Sequence, residues 1–165
     1  MHGESCKLRI PTSVHAAIFL HGLSSHPNLV HFSERATLWM LEEDQTTQQK
    51  TIWSRVASGV DGVIQAPMEG SIVGECIRTG QVVNIKEAYD DPRFDKHVDA
   101  ETGYRTHSIL AVPVRNEQGR VIGAIQMMNK KNDKGEEVSF GKGDIKCVQM
   151  LCSHVACFIR VVHGD

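Results

Sequence analysis

GSIVGECIRTGQVVNIKEAYDDPRFDKHVDAETGYRTHSILAVPVRNEQGRVIGAIQMMNKK, residues 70–131, can be read element by element. Ser71 is a good helix N-cap, because its hydroxyl can accept from an N–H that the helix leaves unpaired. Ile72, Val73, Cys76 and Ile77 recur at helical spacing, and Gly80 stands where a left-handed residue closes a helix. Gln81–Ile85 reads as a short strand. A polar connection without strong periodicity follows, from Lys86 to about Thr106. Two strands come next, Ser108–Val114 and Arg120–Asn129, joined by the hairpin signal Asn116-Glu117-Gln118-Gly119.

A connection as long as Lys86–Thr106 is unusual inside a compact domain unless it is a lid or a binding loop. It carries Asp99, Thr102, Tyr104, Arg105 and Thr106, polar groups suited to orienting a small ligand. The helix that begins after Ser71 offers free N–H groups and a positive dipole end, which suit an anion such as phosphate. The same residues are equally readable as a capped helix plus a solvated loop, since most helix N-termini bind nothing.

Working outward, Ala36–Leu41 and Thr51–Ala57 read as strands separated by the polar turn Glu42–Gln49. Asp61-Gly62 marks another turn, and Val63–Pro67 a third short strand. Ile109–Val114 and Val121–Met128 are apolar on both faces, so the sheet needs cover on both sides. At the far end, Ile145, Val148, Leu151, Cys152, Val155, Phe158, Ile159 and Val162 form one stripe at helical spacing from Asp144 to about Val162. These elements predict an α+β fold: a central antiparallel sheet of five to six strands with helices on both faces. Residues 1–33 read as a poorly determined lead-in to a domain spanning 34–163.

The 165 residues suit one domain, with 41% hydrophobic and 23% charged residues, an ordinary soluble composition. A formal charge of −2 gives no footprint for nucleic acid or an anionic membrane. No run reaches the ~20 apolar residues of a membrane span, and no secretory signal is evident. Five cysteines in an odd set without CxxC read as buried, reduced thiols, so the expected compartment is the cytoplasm. Five of the nine histidines fall before residue 32 at spacings that match no zinc pattern, and no metal site is expected.

Several motifs in order resemble the GAF domain of the cyclic-nucleotide type found in phosphodiesterases, adenylyl cyclases and bacterial sensor proteins. They are ERATLW (34–39), VNIKEAY (83–89), DPRF (91–94), VDAETGYRT (98–106), ILAVPV (109–114) and GRVIGAIQMMNKK (119–131). Asn129, Lys130, Phe140 and Asp144 fit the family's structural signature, with Ile145 in place of its final Glu. The resemblance implies a salt bridge between Lys130 and Asp144 that ties the last strand to the last helix. For a site, it implies cyclic phosphate on the backbone N–H groups of Ile72 and Val73, and Asp99, Thr102 and Thr106 in the lid. Gln126 would face the base edge. Where phosphodiesterase members place a Phe-Asp pair against the base, this chain has Ala57-Ser58. Ser58 therefore takes the base-facing position without an aromatic surface, whose stacking is worth ~1–3 kcal/mol on other nucleic-acid bases.

The implied function is a regulatory module that senses cyclic AMP or cyclic GMP and controls an attached catalytic or signalling domain. The alternative is a ligand-free GAF domain that dimerises through its terminal helices, and a homodimer is expected in either case. No enzyme activity is expected. The chain lacks HExxH, GxSxG and Walker motifs, and no cysteine falls in the lid where a fold-sharing sulfoxide reductase or a bilin-bearing GAF domain would need one. No cofactor is expected beyond the cyclic nucleotide ligand.

Overall fold

The computed structural model describes residues 33–44, 46–57 and 62–163. The expected lead-in up to residue 32, Ser58 and Asp61 lie outside the described residues, as do the side chains at 55–57 and 162–163. The strands are β1 (Arg35–Glu43), β2 (Lys50–Ala57), β3 (Ile64–Ala66), β4 (Val83–Ile85), β5 (Ile109–Arg115) and β6 (Val121–Met128). They form one antiparallel sheet in the order β3-β2-β1-β6-β5-β4. A separate two-stranded ribbon joins β7 (Lys130–Lys131) to β8 (Glu137–Val138). The helices are α1 (Ile72–Thr79), α2 (Lys96–Thr102) and α3 (Lys142–His163).

Strand alternation sorts the core into two layers. On one face, Ile109 and Ala111 of β5, Ala124 of β6, Trp39 of β1 and Ile52 of β2 pack against Ile72, Val73, Cys76 and Ile77 of α1. On the other, Leu110, Val112, Val114, Ile125 and Met127 pack against Val148, Leu151, Cys152 and Val155 of α3. The chain is thus an α+β fold with a six-stranded antiparallel sheet covered on both sides.

The ends of α1 follow from its caps. Ser71 Oγ accepts from the Gly74 amide at 3.0 Å, and Gly80 closes the helix at φ 66°, a left-handed conformation that glycine adopts without a Cβ penalty. Gly74 has a second reason to be glycine. A Cβ there would stand 2.1 Å from the carbonyl oxygen of Met68, because the turn before the helix folds against its first residues. An Ala usually gains ~1 kcal/mol over Gly inside a helix. Here Gly74→Ala is expected to reverse that sign and cost about 1–3 kcal/mol by overpacking, read as a lower urea midpoint at unchanged slope.

Three expectations need correction. The connection after β4 is not irregular throughout: it holds a 3-10 turn at Ala88–Asp90 and the helix α2. The lone buried residue of α2 is the polar Asp99, so the segment had no apolar period to reveal it. Phe158 was expected in the buried stripe of α3 but is 46% exposed. The strands also run slightly differently, with β1 extended to Arg35–Glu43 and β4 shortened to Val83–Ile85.

Candidate functional site

The first turn of α1 lies on the sheet face opposite α3, and the side chains of Ile72 and Val73 are buried there. Their backbone amides have no hydrogen-bond partner among the described residues, as geometry dictates for the first positions of a helix. Ser71 completes the turn by donating its hydroxyl to the Pro67 carbonyl at 2.5 Å.

Residues 86–107 fold back on themselves. The Ala88 amide donates to the His107 carbonyl at 2.6 Å, so the two ends of the segment meet. Glu87 caps the 3-10 turn by accepting from the Tyr89 amide, lies 3.3 Å from His107 Nδ1 and accepts from Arg105 at 3.5 Å. These contacts, with burial opposing them, hold the Glu87 carboxyl below its ordinary range. The Arg105 guanidinium stacks over the Tyr89 ring at 3.5 Å. Ala88 is fully buried, and Phe94 packs against the same core layer.

Asp99 and Thr106 are brought together as a latch. Asp99 Oδ2 accepts from the Thr106 amide at 2.6 Å, and Oδ1 accepts from the Thr106 hydroxyl at 2.8 Å. Both residues are buried, and Tyr89 Oη adds a longer bond to Asp99 at 3.3 Å. The hydroxyl proton of Thr106 is therefore spent on Asp99, while its oxygen retains acceptor capacity. Thr102 sits apart from this pair. It is exposed at the end of α2 and donates to the Val98 carbonyl.

The sheet beneath contributes Gln126, which faces the α1 layer with Thr37 directly across on β1. Trp39 Nε1 donates to Gln126 Oε1 at 2.7 Å. Sequence reading placed Gln126 at the site but missed Trp39. Alternation along β1 puts Thr37, Trp39 and Leu41 on one face, but only the β1–β6 register brings that face to Gln126.

The signature residues act behind the site. Asn129, 1% exposed, accepts from the His107 amide and donates to Arg105, Tyr104 and Glu34. The salt bridge between Lys130 and Asp144 is present, with Nζ and Oδ2 2.5 Å apart. Phe140 is buried against α3, and its carbonyl accepts from Asn84 Nδ2 at 2.9 Å.

Burial pushes the thiols of Cys76 and Cys152 up to about 12, so neither is a nucleophile at neutral pH. The expectation of buried thiols fails for Cys147 and Cys157, which are exposed on α3 because they fall off the stripe of that helix that packs on the other face of the sheet. Among the described residues no group of three or more His, Cys, Asp or Glu could hold a metal ion, and no helix is long and apolar enough to cross a membrane.

Known proteins give this arrangement its context. The dual 3',5'-cyclic-AMP and -GMP phosphodiesterase 11A of Takifugu rubripes is 35% identical over 128 residues, 72% of this chain and 14% of that protein. A cGMP-specific 3',5'-cyclic phosphodiesterase of Drosophila melanogaster is 31% identical over 126 residues, 70% of this chain and 11% of that protein. The chain thus spans a small part of these relatives' length. Among solved structures, the type II free methionine-R-sulfoxide reductase from Thermoplasma acidophilum superposes with a TM-score of 0.65 at 15% identity, covering 89% of this chain and 90% of that one. The GAF domain of a two-component sensor histidine kinase from Bacillus halodurans superposes at 0.64 with 17% identity, covering 92% of this chain and 97% of that one. At such identities the likeness is one of fold. The sequence pattern of the GAF domain matches residues 28–159, nearly the whole of the sheet and helices described above, and the chain belongs to the GAF domain family.

Proposed function

We propose that this GAF domain is a regulatory module that binds a cyclic nucleotide between α1 and residues 86–107 and controls an attached effector domain. One observation carries the reading: the α1 amides left unpartnered among the described residues, the latched segment and the half-buried Gln126 amide all belong to the same sheet face. A phosphate suits the first, a base edge the last, and the segment between them can exclude water. The phosphodiesterase relatives support a cyclic nucleotide as the ligand class and a longer parent protein with its own catalytic domain. The chain itself supplies no catalytic group in this reading. The exposed free thiols of Cys147 and Cys157 suit the reducing cytoplasm.

Binding would act by population shift. A ligand held by α1 and Gln126 favours the conformation in which the Asp99–Thr106 latch is closed, and it moves the equilibrium only by its preference for that state. Because the segment ends against Asn129 and the next residue, Lys130, bonds α3, closure and the position of α3 share one short stretch of backbone.

A thermal-shift titration with cyclic AMP and cyclic GMP tests the proposal. A ligand at a hundredfold excess over its Kd is expected to stabilise the fold by ~2.7 kcal/mol. No shift with either nucleotide at millimolar concentration would overturn it. A second reading, a dimerising module without ligand, is favoured by Met150, Phe158 and Val161, apolar side chains 64%, 46% and 72% exposed on α3. The same titration separates it, since a dimer's melting temperature rises with protein concentration and ignores the nucleotide.

A further inference from the structure

The sheet uses only one stripe of α3. Cys147, Met150, His154, Cys157 and Val161 form a second, spaced alternately three and four residues apart and exposed throughout. At 100° per residue its centre lies about 130° round the helix from the stripe that Val148, Leu151, Cys152 and Val155 pack on the sheet. The spacing is that of heptad a and d positions, with Cys147, His154 and Val161 at a and Met150 and Cys157 at d.

A second copy of the chain fits this stripe. A 3.5-residue repeat keeps one seam facing a helix laid alongside it. The flanking charges decide the orientation. Lys146 and Arg160 lie on the same flank of the seam, seven-residue steps apart. Antiparallel copies overlapping along the whole stripe would bring Lys146 to the partner's Arg160, like charge against like. Parallel copies keep the two apart and set each seam residue opposite its own counterpart. His154 then faces the partner's His154 in the middle of the seam, and one polar a residue is a device that fixes register.

Parallel pairing has a chemical consequence. Cys147 meets the partner's Cys147, and Cys157 meets the partner's Cys157. Helix axes ~10 Å apart, with Cα atoms ~2.3 Å from each axis, leave facing Cα atoms roughly 5–6 Å apart. A disulfide spans that distance. Among the described cysteines these two are the exposed ones.

Resting on the dimerising reading above, we propose that α3 pairs in parallel with α3 of a second copy, and that Cys147 and Cys157 are redox sites that lock the pair. Glutathione disulfide is the oxidant. The Cys157 thiolate attacks it and releases one glutathione thiolate, and the partner's Cys157 displaces the second from the mixed disulfide. Two protein thiols are oxidised to one disulfide, one glutathione disulfide is reduced to two thiols, and the protons pass to the departing thiolates. Cys147 reacts in the same way.

The test combines sedimentation of the reduced chain with non-reducing electrophoresis after treatment with glutathione disulfide. The reduced chain is expected to dimerise reversibly, and the oxidised chain to run as a dimer that dithiothreitol dissolves. Cys147→Ser and Cys157→Ser should each still crosslink, because either cysteine meets its own counterpart, and only the double variant should not. Val161→Lys keeps both thiols, alters a residue 72% exposed and should slow crosslinking roughly tenfold or more by placing charge in the seam. Loss of the crosslink in both single variants would show Cys147 paired with Cys157 in antiparallel copies, and would overturn the inference while leaving the dimer. A reversible dimer that glutathione disulfide does not lock, or an unchanged rate in Val161→Lys, would overturn it too. A reduced chain that stays monomeric at millimolar concentration would overturn the dimerising reading, and the inference with it.

Discussion

Replacing Asn129 with alanine is expected to destabilise the protein by about 3–5 kcal/mol, close to the largest loss a single substitution gives. Its Oδ1 accepts from the His107 amide at 2.7 Å. Its Nδ2 donates to the Arg105 carbonyl at 2.7 Å, Tyr104 Oη at 2.9 Å and Glu34 Oε2 at 3.1 Å. Alanine would leave the His107 N–H and Arg105 C=O without these bonds, at up to ~1–3 kcal/mol for each part-buried group left unsatisfied beside Asn129, which is itself 1% exposed. Asn129 also sits at φ 56°, a left-handed conformation that asparagine tolerates and alanine reaches at a cost of ~1–2 kcal/mol. Asn129→Gly removes only the second cost, so it should recover about 1 kcal/mol relative to alanine and no more. Urea unfolding of the two variants separates the terms. Equal stability of Asn129→Ala and wild type would show that water replaces the amide fully.

The same network has a pH signature. Glu34 bonds Lys131, Asn129 and Tyr104, and the Lys131 contact contributes most to lowering its carboxyl from 4.5 to about 2, with burial opposing. A carboxyl lower in the folded than in the unfolded state stabilises the fold above its unfolded value, and that contribution is lost as pH falls from about 4.5 towards 2. Asn129→Ala removes one of the donors, so its stability should fall less steeply than that of wild type over this acid range.

What could be read in the sequence was whatever is fixed locally. Ser71 and Gly80 bound α1 because caps act within a few residues of the helix they end. The hairpin between β5 and β6 is written in Asn116 and Gly119, where the Gly119 amide donates to the Asn116 carbonyl and φ reaches 78°. The stripe of α3 showed its buried face, although Phe158, about 80° from the centre of that stripe at 100° per residue, is left half-exposed. The site's side-chain pairs were of another kind. Trp39 and Gln126 are 87 residues apart, and Asn129 and Glu34 are 95 apart. Their meeting depends on strand register, which a single sequence does not print. Asp99 and Thr106 lie only seven apart, yet their bond depends on α2, and α2 buries a carboxylate where the eye seeks an apolar residue. The motifs that resemble GAF domains pointed to these positions without saying which of them bond each other.

Asp144→Ala is the second large loss, expected at about 2–4 kcal/mol. Asp144 does two jobs with one oxygen: Oδ2 accepts from Lys130 Nζ and from the Gly141 amide, each at 2.5 Å. The Ile145 amide donates back to the Gly141 carbonyl, so Asp144 closes the first turn of α3 as the third residue of a capping box does. The side chains of Lys130 and Asp144 are 23% and 10% exposed. Their bridge therefore lies between an exposed pair, worth ~0.2–1 kcal/mol, and a buried one whose breakage costs ~3–5 kcal/mol. Asp144→Asn keeps an acceptor for the Gly141 amide and removes the charge, so it should cost less than alanine. A cycle with Lys130→Met isolates the bridge: the double variant should be more stable than the sum of the single losses predicts, by ~1–3 kcal/mol. Strict additivity would mean that Asp144 stabilises α3 through its cap alone. The distinction matters because Lys130 directly follows Asn129. One residue holds the end of the 86–107 segment and the next holds α3 on the opposite face, so a movement of the segment reaches α3 only as firmly as this bridge transmits it.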